Sequence, residues 1–196
     1  MRKVIYSFLY LLSLKFYCMR KLTNDELNRK SVNEFRSSSK SPFIVVLDNV
    51  RSLNNVGSIF RTADAFIVEA VWLCGITATP PHREIHKTAL GATESVEWQY
   101  RESAAAAVME LRARGYRIIS VEQADEAVPL DAFEVMEGEK YALVFGHEIR
   151  GVSEEVVEMS DSCIEIPQFG TKHSFNVAVS AGIVLWELAG RVSRGR

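Results

Sequence analysis

Two polar side chains, Ser174 and Asn176, stand where an apolar strand gives way to a helix. The strand ends at Ile166-Pro167, a turn around Gly170 follows, and small residues then open the helix. Serine at such a junction predicts a helix cap, which places Asn176 in the first helical turn. Polar groups beside a close-packed turn indicate a ligand pocket. In the alternative interpretation the segment has only a structural role, as a helix cap followed by a helix face of small residues that packs against another element.

A second polar segment joins a strand to a helix that carries Asn55, Gly57 and Arg61. Both polar residues fall near the carboxyl end of the strand, which is where open α/β sheets bind ligands. Glycine at a helix start costs stability, so Gly57 indicates close approach by another group. A capping asparagine and a solvated arginine are the structural alternative.

A third segment places an acid, Glu148, between Gly146 and Gly151 after a buried strand. The pattern suits a loop whose backbone contacts a ligand, while an exposed loop carboxylate is the alternative. It is neither a Walker phosphate loop nor a G-x-G-x-x-G fingerprint, so it does not indicate a nucleoside triphosphate or NAD.

No metal is expected. His82 and His86 have helical spacing, but no third ligand is nearby. Cys18, Cys74 and Cys163 are far apart and odd in number, so they predict neither a zinc site nor a disulfide framework. We expect reduced, buried thiols in a cytoplasmic protein.

Alternating strands and helices must position these motifs. The 196 residues are 47% hydrophobic and 24% charged, which fits one α/β domain. The net charge of −2 argues mildly against a surface covered with positive charge for binding nucleic acid. Short apolar strands between helices predict a mostly parallel sheet with helices on both faces. Strands are expected at 43–47, 70–74, 116–121, 141–145 and 163–166, and helices at 55–66, 104–114, from 153, and at 174–190.

The chain divides into three parts by composition. Residues 1–18 form an apolar leader that is too short to span a membrane, and Met19 reads as the natural start, so we expect the leader to lie outside the native protein. Residues 19–41 form a basic N-terminal segment, and 42–196 form the domain that carries the motifs. No membrane association is expected.

The three motifs, in this order and at strand ends, closely resemble the SpoU-type 2′-O-ribose RNA methyltransferases of the SPOUT superfamily. The likeness covers about residues 43–190. The family motif N-x-G-x-x-x-R is matched by Asn55, Gly57 and Arg61. The motif F-G-x-E-x-x-G is matched by Phe145, Gly146, Glu148 and Gly151. The motif I-P-x-x-G-x-x-x-S-x-N is matched by Ile166, Pro167, Gly170, Ser174 and Asn176. Phe175 stands where many relatives have Leu or Met.

This resemblance implies an α/β fold whose C-terminal part forms a deep trefoil knot, which periodicity could not have predicted. It implies that S-adenosyl-L-methionine binds there, in a pocket of Val121, Glu122, Gly146, Ile166, Gly170, Ser174 and Phe175. It also implies a homodimer with the site at the interface, where the small residues Ala178, Ser180, Ala181 and Gly182 would pack.

The implied reaction is attack of a ribose 2′-hydroxyl on a sulfonium methyl group, without a metal. The family assigns removal of the proton to the arginine that matches Arg61. Because arginine hardly ever deprotonates, a second role stays open, in which Arg61 stabilises the developing alkoxide and grips phosphate. Asn55, Glu148, Ser174 and Asn176 would then orient Arg61 and the ribose.

The implied substrate is tRNA or rRNA. Phosphate contacts would come from residues 20–40 and from scattered arginines, namely Arg51, Arg83, Arg150, Arg191, Arg194 and Arg196. Two alternatives remain: a knotted methyltransferase that acts on a base, and a catalytically silent RNA-binding or ribosome-assembly module. The intact polar motif residues favour the ribose methyltransferase.

Overall fold

The computed structural model describes residues 19–194, which fall in two compact units that divide between Ser31 and Val32. The apolar leader predicted for 1–18 lies outside the described residues. In the first unit a 3₁₀ turn spans Asp25–Leu27. The Glu26 carboxylate accepts hydrogen bonds from the backbone N–H of Thr23 (2.8 Å) and from its hydroxyl (3.0 Å), which stabilises the start of this turn.

The second unit alternates strands and helices. Its strands are β1 (Ser41–Asp48), β2 (Val68–Cys74), β3 (Glu97–Arg101), β4 (Tyr116–Val121), β5 (Val128–Pro129), β6 (Lys140–Phe145) and β7 (Ser162–Glu165). Its helices are α1 (Val32–Ser37), α2 (Leu53–Ala65), α3 (Arg83–Ala89), α4 (Ala92–Ser95), α5 (Ala104–Ala113), α6 (Glu154–Glu158) and α7 (Val177–Arg194).

All seven strands pair in parallel, in the order β3-β2-β1-β6-β4-β7-β5. The predicted α/β class is confirmed, and the sheet is wholly rather than mostly parallel. The two edge strands, β3 and β5, were not predicted, because an edge strand such as Glu97–Arg101 is partly solvated and carries no apolar run. The trefoil knot stays a prediction.

Helices cover both faces of the sheet, as predicted. Alternate residues of β1 point to opposite sides, so Val45 and Leu47 pack in one cluster and Ile44 and Val46 in the other. The first cluster includes apolar residues of α2, α3 and α7, and the second includes those of α5 and α6. These two layers fix where each helix begins relative to the carboxyl ends of the strands.

Helix α3 explains Gly57. A Cβ on Gly57 would lie 2.1 Å from Thr88 Oγ1 and 2.4 Å from the Ile85 carbonyl oxygen. The close approach expected at this glycine is therefore made by a neighbouring helix. Helix α3 itself was not predicted, and His82 is its cap: His82 Nδ1 accepts a hydrogen bond from the Glu84 N–H at 3.2 Å.

The start of helix α7 differs from the prediction. Asn176 caps the helix, because its Oδ1 accepts the N–H groups of Ala178 (2.9 Å) and Val179 (3.3 Å). Ser174, predicted as the cap, lies before the helix and makes no hydrogen bond with a described residue. Asparagine and serine cap about equally well, so residue type alone could not choose between the two positions.

Candidate functional site

A cavity of about 300 Å³ opens at the carboxyl ends of β4, β6 and β7. Its walls come from the turn after β4, the loop after β6, and the chain between β7 and α7. The cavity is lined by six of the seven predicted cofactor residues: Val121, Glu122, Gly146, Ile166, Ser174 and Phe175. The seventh, Gly170, lies outside the lining and is exposed, with no atom within 4 Å of its would-be Cβ.

The β6–α6 loop, residues 146–153, folds tightly on itself. His147 and Gly151 exchange two backbone hydrogen bonds, of 2.9 and 2.8 Å. A Cβ on Gly146 would lie 2.0 Å from the Gly151 carbonyl carbon, and Gly151 itself has φ of +70°. Both glycines are therefore required by the fold of the loop, whether or not the backbone also contacts a ligand.

Two acids fix the far end of this loop. Glu122 Oε2 accepts the Val152 N–H at 2.9 Å, and Asp48 Oδ2 accepts the Ser153 N–H at 2.8 Å. Asp48 is buried, and sequence reasoning did not select it. The available signal was its position, since it is the last residue of a buried strand at the edge where the motifs meet.

Glu148 joins this loop to the start of helix α2. Its carboxylate accepts the backbone N–H groups of Arg51 (3.1 Å) and Ser52 (2.9 Å) and the side-chain amide of Asn55 (3.0 Å). Burial alone would raise the pKa of the Glu148 carboxyl, but these donors outweigh burial and hold the pKa below its usual value. Glu148 is therefore an ionised acceptor that fixes α2.

Asn55 extends the network to helix α7. Its amide nitrogen donates to Glu148, and its Oδ1 accepts from Asn176 Nδ2 at 3.1 Å. With one end donating and the other accepting, the amide has one orientation. One residue from each of the three sequence motifs thus meets in a single hydrogen-bonded chain beside the cavity.

Arg61 lies apart from these residues. It is two turns further along α2, exposed, and outside the cavity lining. Among residues 19–194 it has no hydrogen-bond or ion-pair partner. The structure thus joins Asn55, Glu148 and Asn176 directly, places Ser174 at the cavity, and leaves Arg61 free for a partner that this single chain does not supply.

One of the arginines predicted to contact phosphate already has partners within the chain. Arg191 pairs with Glu187 at 2.7 Å and donates to the Asp131 carbonyl oxygen at 2.8 Å, so the fold uses its guanidinium. The Arg194 side chain and Arg196 lie outside the described part. The guanidinium groups of Arg51, Arg83 and Arg150 are exposed and form no ion pair with a described residue.

The two cysteines that the structure describes, Cys74 and Cys163, do not line the cavity. Cys74 is buried, and burial raises the pKa of its thiol to about 12. Cys163 is partly buried, and neither Cys74 nor Cys163 forms a disulfide with a described residue. Cys18 lies outside the described residues. Residues 19–194 contain no group of three His, Cys, Asp or Glu side chains placed to hold a metal, and no helix long and apolar enough to cross a membrane.

Comparison with known proteins identifies relatives of this chain. The 23S rRNA (guanosine-2'-O-)-methyltransferase RlmB of Neisseria meningitidis is 34% identical over 149 residues, which are 76% of this chain and 58% of that protein. The tRNA (guanosine(18)-2'-O)-methyltransferase of Aquifex aeolicus is 33% identical over 166 residues, 83% of this chain and 75% of that protein.

Solved structures give the same result. The A. aeolicus TrmH/SpoU tRNA modifying enzyme superposes with a TM-score of 0.74 at 28% identity, over 84% of this chain and 82% of that one. An AdoMet-bound rRNA methyltransferase from Sinorhizobium meliloti gives 0.72 at 27% identity, over 81% and 60%. The model of the SpoU rRNA Methylase family matches residues 42–186, which include all three motifs, and the chain belongs to that family.

Proposed function

We propose that this chain transfers a methyl group from S-adenosyl-L-methionine to a ribose 2′-hydroxyl of tRNA or rRNA. The observation that carries the proposal is the hydrogen-bonded chain of Glu148, Asn55 and Asn176, which joins residues 93 and 121 positions apart beside the cavity. The relatives named above methylate ribose in rRNA or tRNA.

The cavity fits the proposed cofactor. Its volume of about 300 Å³ is near the lower end of ligand sites, roughly 300–1,000 Å³. Apolar walls from Val121, Phe145 and Ile164 suit a purine, and the Glu122 carboxylate at the rim suits a hydroxyl or cationic group. Bound there, the cofactor would supply an electrophilic methyl group.

Catalysis then depends on placing a ribose and removing its proton. Geometry of this kind contributes up to roughly 7–11 kcal/mol in favourable cases. Asn55, Glu148 and Asn176 hold the starts of α2 and α7 together, and Ser174 faces the cavity. Arg61 is assigned to the ribose and its phosphate, where it stabilises the developing alkoxide.

A homodimer completes the site. On α7, Val179 and Trp186 are 50% and 68% exposed and share a helix face with Gly182, whose would-be Cβ has no atom of another described element within 4 Å. Large exposed apolar side chains beside an open glycine suit close packing of a second helix. In this arrangement Arg61 of a second copy would approach the cavity.

Exposed cations support an RNA partner. Loops that follow parallel strands lie at the carboxyl edge of the sheet, and there Arg51, Arg83 and Arg150 form no ion pair with a described residue. At the opposite edge, Arg117 pairs with Glu139 at 3.0 Å. Unpaired cations beside the site suit contact with phosphates, which the net charge of −2 does not exclude.

The test compares Arg61→Ala with Arg117→Ala, an arginine that is already paired on the far edge. Methyl transfer to total tRNA and rRNA is measured, and nucleoside mass spectrometry identifies the product. We expect 2′-O-methylated nucleosides from the wild type, roughly a hundredfold less from Arg61→Ala with cofactor binding retained, and near-normal transfer from Arg117→Ala.

Each other outcome contradicts a part of the proposal. A methylated base in the product would establish the knotted base methyltransferase instead. Binding of RNA without any methyl transfer by the wild type would establish the silent RNA-binding module. Near-normal turnover by Arg61→Ala would remove Arg61 from the reaction.

A further inference from the structure

The chain between β7 and α7 is held far more loosely than the rest of the cavity wall. This β7–α7 segment, residues 167–175, contributes Gln168, His173, Ser174 and Phe175 to the lining. Its tip projects into solvent, with Phe169 98% exposed. The segment therefore covers one side of the cavity without a packed core of its own.

One hydrogen bond joins this segment to the rest of the described chain. Gln123 Nε2 donates to the His173 carbonyl oxygen at 2.9 Å. Within residues 19–194, no other hydrogen bond and no ion pair links 167–175 to another element. Gln123 thus bridges two walls of the cavity, since it belongs to the turn after β4 and also lines the cavity.

The same turn holds the opposite wall. Glu122, the neighbour of Gln123, accepts the Val152 N–H of the β6–α6 loop through Oε2 and the Gln123 N–H through Oε1, both at 2.9 Å. Two consecutive side chains, Glu122 and Gln123, therefore connect both walls of the cavity to the turn after β4.

We propose that Gln123 is a positioning residue, whose side-chain amide holds the β7–α7 segment over the cavity and thereby prolongs the residence of the bound cofactor. The identity of that ligand rests on the proposed function; the bond and its effect on the segment do not. Loss of the amide donor releases the segment, which carries Ser174, and leaves the hydrogen-bonded chain of Glu148, Asn55 and Asn176 in place.

The test is an isosteric substitution with a matched control. Gln123→Glu keeps the size of the side chain, removes the N–H donor, and sets a carboxylate against a carbonyl oxygen. Gln99→Glu makes the same change on exposed edge strand β3, where Gln99 Oε1 only accepts from Arg101 and a carboxylate accepts equally well. Gln123→Lys restores a donor at the original position.

The first readout needs no ligand. Cleavage within 168–175 by limited proteolysis is measured in the unbound protein, and Gln123→Glu is expected to speed it between about twofold and tenfold, the range for one net hydrogen bond. Gln99→Glu leaves it unchanged, and Gln123→Lys returns it toward the wild-type rate. Because Gln123 is exposed, the thermal midpoint stays the same in all three variants.

The second readout uses S-adenosyl-L-methionine in calorimetry and in methyl-transfer kinetics. Gln123→Glu is expected to raise the Kd and the KM for the cofactor between about twofold and tenfold while kcat at saturation stays within about twofold. Unchanged cleavage and affinity in Gln123→Glu, or equal changes in Gln99→Glu, would overturn the proposal. Failure of the wild type to bind this cofactor would instead refute the proposed function and leave the proteolysis result valid.

Discussion

Two segments border the same cavity and are held in opposite ways. The β6–α6 loop is fixed by the Asp48 and Glu122 side chains from two other elements, by the contacts of its own Glu148 with the start of α2, and by its own backbone bridge. Within residues 19–194, the bond from Gln123 is the single hydrogen bond that joins the β7–α7 segment to another element. One wall is rigid and carries the polar network, and the other can open. A site that must admit a cofactor and still hold a ribose in place needs both.

The largest effect that tests this comparison comes from a pair of glycines, one in each segment. Gly146→Ala would place a methyl group 2.0 Å from the Gly151 carbonyl carbon, a backbone atom that cannot move aside. We expect a loss of about 3 kcal/mol in the free energy of unfolding, because overpacking of this kind is costly. Denaturant unfolding gives the value.

Gly170→Ala is the matched control, since nothing lies within 4 Å of its would-be Cβ. It is expected to change the free energy of unfolding by less than about 0.5 kcal/mol. Equal losses in the two variants would show that the two segments do not differ in rigidity.

A smaller effect is expected from Glu148→Gln. The folded-state pKa of Glu148 is lowered, so its ionised form stabilises the fold above its unfolded pKa, and that contribution is lost as the pH falls through the folded pKa. We expect the substitution to cost about 1–3 kcal/mol at neutral pH, because backbone donors lose their ionised acceptor. The difference from wild type then shrinks below about pH 4.

Unfolding measured at several pH values checks this, with Glu158→Gln as a control at an exposed glutamate. A difference between wild type and Glu148→Gln that stays constant down to acid pH would show that the carboxylate charge does not hold the rigid wall.

The smallest effect separates the flexible segment from the helix that follows it. Asn176→Ala removes the cap of α7 and the bond to Asn55, and should cost about 1 kcal/mol. Ser174→Ala, two residues earlier, should cost less than about 0.5 kcal/mol while lowering methyl transfer. Thermal unfolding of both variants shows whether the rigid structure begins at Asn176. A larger loss of stability in Ser174→Ala than in Asn176→Ala would place its beginning before helix α7.

Local sequence signals predicted much of the central sheet. Buried runs such as 43–47 and 141–145 are apolar enough to identify β1 and β6, and three motifs at strand ends indicated which edge holds the site. The signals failed where burial is incomplete, as in edge strand β3, and where two residues cap equally well, as at Ser174 and Asn176.

The sequence predicted which polar residues lie near the site, but not which of their atoms bond to one another. Sequence spacing placed Asn55 and Glu148 at the same edge of the sheet, but it did not show that Glu148 binds the backbone of Arg51 and Ser52. Nor did it show that Gln123 holds the β7–α7 segment, because an exposed glutamine has no distinguishing pattern. Such bonds depend on distances between elements, which residue types alone do not determine.

The hydrogen bonds that build the site also set the order in which the protein can fold. Asp48 meets Ser153 across 105 positions, and Asn55 meets Asn176 across 121. Contacts so distant in sequence form slowly, because a large loop must close before they contribute. On the ribosome Asp48 and Asn55 emerge long before Ser153 and Asn176, to which they bond. The cavity can therefore take shape only after the start of helix α7 has been synthesised, and the start of α2 lacks its acceptor until Glu148 has been made.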